Sequence, residues 1–130
     1  MADVDLSDWP VVAVRLDDPT STADLAALAG AVISALERRR PFGLLIRAQT
    51  PLPGADVQAE PLRWLRRRRT EVGTWCRAVV YVLPDRAAAR FSPADRAAAQ
   101  RLWGCDVEAV HDQDAGRAWL LAHLDPDART

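Results

Sequence analysis

The stretch RAVVYVLPD, residues 77–85, decides the fold of this chain. Its central part, residues 78–83, is apolar at every position and rich in β-branched residues, which predicts a strand buried on both faces. Strands of this kind belong to mostly parallel sheets whose faces are covered by helices. We therefore expect this segment at the centre of such a sheet.

Three further segments have the pattern of strands. Residues 11–16 are rich in β-branched side chains, and residues 42–46 are apolar on both faces. Residues 105–109 alternate apolar and acidic side chains, which is typical of a half-exposed strand at the edge of a sheet.

Helical patterns separate these strands. Ser21 and Asp24 have the spacing of a capping box, and an apolar stripe with helical periodicity follows over residues 22–40. A second amphipathic pattern covers residues 59–74, and a third helix begins at Ser92 and ends near Trp103.

The last predicted helix begins at Asp112. Its Ala115, Ala118, Trp119 and Ala122 share one face. Because small residues let a helix approach a sheet closely, we expect Trp119 to pack its ring into the core.

The predicted order, β-α-β-α-β-α-β-α, describes one α/β domain over residues 1–130, with tails at residues 1–8 and 126–130. Strands separated by helices usually run parallel, and right-handed crossovers place the helices on both faces. The sequence therefore predicts a mostly parallel sheet of four or five strands.

Composition excludes several classes of function. The 17 basic and 18 acidic residues give a net charge of −1, which argues against a nucleic-acid partner. The chain has no apolar run of the roughly 20 residues that membrane insertion requires. The acidic first residues, MADVDLSDWP, do not have the pattern of a secretory signal, so we expect a cytoplasmic protein. All basic residues are Arg and Lys is absent, which indicates a GC-rich coding sequence.

The residues of catalytic and cofactor chemistry do not form motifs. The six glycines make no phosphate-binding loop, and the two Cys and two His lack the spacing of a zinc site. Asp17 and Asp18 with Asp85 resemble the acidic residues of phosphoacceptor receiver domains, but the Lys that such domains need is missing. His111 and His123 have no neighbours that suggest an activated nucleophile. We therefore expect no catalytic residue, no metal, no cofactor and no enzymatic activity.

Cys76 and Cys105 each stand at the start of a predicted strand. If these strands are parallel neighbours, the two sulfurs approach each other. A pair of reduced thiols is expected, with a redox pair as the alternative.

Two regions are candidates for partner binding. The first is the outward side of the second helix, which carries Arg63, Trp64 and Arg67. We expect it to bind an acidic protein partner or an anionic ligand, although a plain solvated surface explains these residues too. The loop of residues 49–56 leaves the carboxyl end of an interior strand, where parallel sheets present their contacts. Its candidate residues are Thr50, Leu52 and Asp56, although a plain connection from strand to helix explains this loop too.

The second half of the chain resembles the SpoIIAA-like group of STAS-type domains. The matching stretches are RAVVYVLPD at residues 77–85, DVEAVHD at 106–112 and AGRAWLLAHL at 115–124. The resemblance implies a STAS-like strand order, with a flavodoxin-like order as the alternative, and an opening hairpin of which only one strand is evident. It also implies a phosphorylated Ser or Thr in the loop that holds Thr50, although Pro51 follows Thr50 and the usual Asp-Ser/Thr context is missing.

The resemblance favours a regulatory protein-interaction module without chemistry of its own. Its partner is an unidentified protein, and pairing of two copies stays open. The alternative is a carrier of an apolar small molecule or lipid, which requires a buried cavity of about 300 Å³ or more. A small enzyme is the least supported class.

Overall fold

The structure is a computed structural model, and it describes residues 3–16, 21–50 and 60–124. The described strands are β1 (Asp3–Asp5), β2 (Val11–Arg15), β3 (Phe42–Arg47), β4 (Cys76–Val82) and β5 (Asp106–Val110). The described helices are α1 (Thr22–Glu37), α2 (Glu60–Arg67), α3 (Arg69–Trp75), α4 (Asp85–Ala89), α5 (Pro93–Trp103) and α6 (Gln113–Leu124).

The strands form one sheet in the order β1-β2-β3-β4-β5. β2 to β5 are parallel, and β1 is antiparallel to β2. The predicted class, a mostly parallel α/β sheet, is therefore confirmed. The strands follow chain order throughout, so the sheet lacks the reversal that defines the flavodoxin-like alternative.

Helices cover both faces of the sheet, but unequally. Each crossover from β2 to β5 steps one strand in the same direction, so right-handed connections place α1 to α5 on one face. α6 follows the last strand and packs back across β3 and β4. It covers the opposite face, where Leu45, Val80 and Leu120 form a separate apolar cluster.

The larger core cluster lies between the sheet and α1 to α5. Tyr81 and Trp103 are the largest of its fully buried side chains, and Trp103 Nε1 donates a hydrogen bond to Tyr81 Oη at 3.0 Å. Two of the helix ends predicted from the sequence are confirmed. Ser21 makes the capping box with Asp24, and Gly104 ends α5 in a left-handed conformation with φ 76°.

The expectation for Trp119 is met only in part: its ring packs against the smaller core cluster, but Leu120 is the fully buried residue that holds α6 on the sheet. Leu120 is fully buried, whereas Trp119 is only partly buried and the predicted alanine stripe is exposed. The buried face is instead formed by Gly116 and Leu120, one helical turn apart. Gly43 on β3 makes this packing possible, because a Cβ added there would lie 2.9 Å from Leu120 Cδ2.

The N-terminal region also differs from the prediction. Residues 3–8 were expected in a tail, but β1 pairs with β2. Asp8 also forms a bidentate ion pair with Arg117 of α6, with distances of 2.7 and 2.9 Å. β1 was missed because it has three exposed residues of sequence DVD and no apolar pattern. It adds a strand at one edge, so β3 takes the central position that was predicted for β4.

Candidate protein-binding groove

A surface groove runs between α1 and the α2–α3 pair. It has a volume of about 480 Å³ and opens to solvent. We call it the α1–α3 groove, and its lining consists of Ile33, Leu36, Glu37, Arg39, Trp64, Arg68, Glu71 and Trp75. Apolar side chains from both sides are thus combined with charged groups at the rim.

On the α1 side, the groove is lined partly by a residue that lies outside the apolar stripe of the helix. Leu36 belongs to the stripe and is buried, but Ile33 lies beside it and is 41% exposed. Arg39 follows the end of α1 with φ 51°, and its N–H donates to Leu36 O at 3.1 Å. A left-handed residue at this position is a common way to end a helix, although it is usually glycine.

The other side of the groove is shaped by a break between α2 and α3. The sequence predicts one helix here, but Arg68 has φ −105° and ψ 19° and separates two shorter helices. Its guanidinium lies over the Trp64 ring, 5.3 Å from the centroid, and donates to Glu71 at 3.1 Å. Arg68 is therefore held at the rim by a cation–π contact and an ion pair.

The region around the groove is strongly basic. Residues 37–40 and 60–75 together contain eight Arg and three Glu, although the whole chain has a net charge of −1. Arg67 and Arg63 share Glu60, at 2.8 and 3.6 Å. The hydrogen bond from Arg67 holds the pKa of Glu60 below its usual value, so this carboxylate stays charged. The positive charge exceeds what the local acids neutralise.

The residues predicted from the sequence to bind a partner lie in two separate regions of the structure. Trp64 lines the groove, and Arg63 and Arg67 lie exposed on the same helix, outside the lining. Thr50 is exposed after β3, at the carboxyl edge of the sheet, whereas α1 ends at the opposite edge, where β3 begins. Leu52 and Asp56 lie outside the described residues, as do Asp17 and Asp18.

Sequence patterns did not reveal most of the groove. Ile33, Arg39 and Trp75 were not singled out, because only the packing of α1 beside α3 brings them together. One signal was available for Ile33, which is a large apolar residue among the mostly small residues on the exposed side of α1, such as Ala26 and Gly30.

The carboxyl edge of the sheet carries a second, more polar pocket of about 460 Å³. Arg15, Arg47, Gln49 and His111 are among its lining residues. Arg15 is ion-paired with Asp3, and His111 Nδ1 lies 3.3 Å from Asp85. Within the described residues, no three His, Cys, Asp or Glu side chains are grouped as a metal site would require.

Comparisons with family models, with curated proteins and with solved structures give no significant match to this chain. Within the described parts of the chain, no helix is both long enough and apolar enough to cross a membrane.

Proposed function

We propose that this protein is a non-enzymatic interaction module of STAS-like type that binds an acidic segment of a partner protein in the α1–α3 groove. The observation that carries the proposal is an apolar groove surface with Arg39 and Arg68 at its rim. The apolar surface consists of exposed Ile33 and the half-buried rings of Trp64 and Trp75. Trp and Arg are the residue types that dominate the binding energy of protein interfaces.

The charge of the surrounding surface defines the partner. The lining itself has two Arg and two Glu, and the positive excess comes from the flanking Arg residues of segments 37–40 and 60–75. This excess favours the approach of an acidic segment and disfavours a basic one. The apolar lining has room for one or two large side chains. We therefore expect a peptide in which Trp, Phe or Leu is flanked by Asp or Glu.

The first hairpin supports the STAS-like part of the proposal. The resemblance implies an opening two-stranded hairpin, and β1 with β2 provides one. Regulation through Thr50 is a prediction of that resemblance. It concerns the carboxyl edge of the sheet, so phosphorylation there would act at a surface away from the groove.

The carrier alternative is less well supported by the geometry. The layer between the sheet and α1 to α5 is filled by buried side chains such as Leu28, Ile46 and Trp103. The cavities found on the described part of the molecule open to solvent. An open groove with a charged rim is better suited to a peptide than to an apolar small molecule.

Panning a random-peptide display library against the immobilised protein tests the proposal. We expect enrichment of peptides with the acidic and apolar pattern described above. The double variant R39E/R68E reverses the charge of the rim and should weaken the selected peptides by about tenfold or more. The control variant R86E/R90E makes the same change of charge on exposed positions of α4 and its C-cap and should bind nearly as the wild type does.

Two results would overturn the proposal. One is the absence of enriched peptides, and the other is equal binding by the wild type and R39E/R68E. A dimer in light scattering that R39E/R68E dissociates would show that a second copy occupies the groove instead. A small-molecule adduct in native mass spectrometry would favour the carrier.

A further inference from the structure

Cys76 and Cys105 lie at the same end of neighbouring parallel strands. Cys76 is the first residue of β4, and Cys105 directly precedes β5. Their strands are hydrogen-bonded with Ala78 opposite Asp106, so the two cysteines are about one residue out of register. In regular strands about 4.8 Å apart with a rise of about 3.3 Å per residue, this offset corresponds to a Cα separation of about 6 Å. The Cys105 thiol lies close enough to raise the pKa of Cys76 by a side-chain hydrogen bond.

A β-bulge turns Cys76 toward Cys105. Phe42 pairs with Cys76, but the next residue, Gly43, pairs with Ala78, so Arg77 is an extra residue in β4. Simple alternation would place Cys76 on the α6 face with Ala78. The bulge moves it to the other face, and Cys105 packs against that same core cluster.

The two thiols are neighbours with different access to solvent. Cys76 is fully buried, and Cys105 is partly exposed in a surface groove of about 630 Å³ that also contains Arg69 and Gln100. Burial, and then the adjacent Cys105 thiol, raise the pKa of Cys76, so Cys76 stays protonated and is not the thiol that meets peroxide first.

We propose that Cys105 and Cys76 form an oxidisable dithiol that a peroxide converts into an intramolecular disulfide. Cys105 Sγ attacks one peroxide oxygen, the O–O bond breaks, and water leaves as Cys105 becomes a sulfenic acid. Cys76 Sγ then attacks the Cys105 sulfur, the S–O bond breaks, and a second water carries away the Cys76 proton. Two thiols are oxidised, and one hydrogen peroxide is reduced to two waters.

The fold can accept the product without large movement. Disulfides span Cα separations of about 4.4–6.8 Å, which includes the separation expected from the strand geometry. Both cysteines are also fixed in position, Cys76 by β4 and Cys105 by the turn at Gly104. This inference rests on the β4–β5 end of the sheet and does not depend on the α1–α3 groove.

Treatment of the full chain with hydrogen peroxide tests the dithiol. Thiols are counted by maleimide labelling after denaturation, and the intact mass is recorded. We expect the wild type to lose both thiols and two hydrogen atoms of mass, and to recover both with dithiothreitol. C105S should keep the buried Cys76 thiol, whereas C76S should stop at a sulfenic acid on Cys105 that dimedone traps.

Folding of each variant is checked by circular dichroism. If C76S does not fold, the wild type and C105S still decide the question, because Cys105 is only partly buried. Three results would contradict the proposal: both thiols surviving peroxide that fully oxidises free glutathione, further oxygens on Cys105 with Cys76 unchanged, or a disulfide that joins two chains.

Discussion

The guanidinium of Arg68 lies 5.3 Å from the centroid of the Trp64 ring and bonds Glu71 at 3.1 Å. These contacts hold a long, flexible side chain at the rim of the α1–α3 groove before any partner arrives. A side chain that is already placed loses less conformational entropy on binding. The arrangement therefore supports the proposal that the groove binds a partner, with a plain solvated surface as the alternative.

The Arg39→Gly substitution should have different effects on stability and on peptide binding. A left-handed conformation costs an L-residue about 1–2 kcal/mol, and glycine adopts it freely, but glycine also makes the unfolded chain more flexible by about 0.4–1 kcal/mol. We expect the free energy of unfolding in urea to stay unchanged or to rise by up to about 1 kcal/mol. Affinity for an acidic peptide should fall, because a rim charge is lost. A clear loss of stability would contradict the strain assigned to Arg39.

Gly43 and Gly30 are a matched pair for alanine substitution. Gly43→Ala places a Cβ 2.9 Å from Leu120 Cδ2 under α6, and such overpacking costs about 1–3 kcal/mol. Gly30→Ala meets nothing within 4 Å on α1 and should gain about 0.5–1 kcal/mol from helix propensity. Urea unfolding of the two variants checks the packing of α6, and equal stabilities would show that Gly43 is not a close contact.

Tyr81→Phe removes the acceptor of the buried Trp103 indole N–H. This N–H donates to Tyr81 Oη at 3.0 Å, and both rings are fully buried. An unsatisfied buried donor costs about 1–3 kcal/mol, so we expect a loss of that size in urea unfolding. Phe91→Leu is the comparison, since it also changes a ring that packs against Tyr81 but removes no hydrogen bond. If the Tyr81→Phe variant is as stable as the wild type, the hydrogen bond does not contribute to stability.

The single Tyr of the chain and the absence of Lys make the alkaline titration simple to interpret. Burial raises the pKa of Tyr81, whereas Tyr in an unfolded chain titrates near about 10. The folded state therefore holds this proton more tightly. The stability that comes from the raised pKa of Tyr81 is fully present below about pH 10 and is lost as the pH rises further.

Tyrosinate absorbance followed together with circular dichroism checks this prediction. We expect the absorbance to rise only as the native spectrum is lost. Buried Cys76, whose pKa is also raised, adds to the loss of stability in the same direction. A rise of tyrosinate absorbance near about pH 10 in a protein that keeps its native spectrum would contradict the burial of Tyr81.

Much of the fold follows from local patterns. The apolar runs of β2, β3 and β4, the alternation in β5 and the capping boxes of Ser21 and Ser92 are encoded in neighbouring residues. β1 has no apolar signal and exists because it pairs with β2, so the sequence did not reveal it. The buried face of α6 was assigned one position away from Leu120, because the close approach at Gly43 depends on tertiary packing.

The candidate site was less predictable than the fold. Trp64 was identified because it is a large aromatic residue beside an arginine-rich helical face. Ile33 and Trp75 are distant in the sequence and meet only through the packing of helices on one face of the sheet. The sequence predicted that Cys76 and Cys105 approach each other if their strands are neighbours, and the strands are neighbours. Their approach also depends on a bulge at Arg77, which no sequence pattern indicated.

The most direct test of the central claim is an NMR titration of the ¹⁵N-labelled protein with an acidic peptide from the library. The five Trp indole N–H groups report on separate parts of the surface and core. We predict that the signals of Trp64 and Trp75 shift on binding, while those of Trp103 and Trp119 do not. Shifts confined to Thr50 and His111 at the carboxyl edge of the sheet would contradict the assignment of the α1–α3 groove as the binding site.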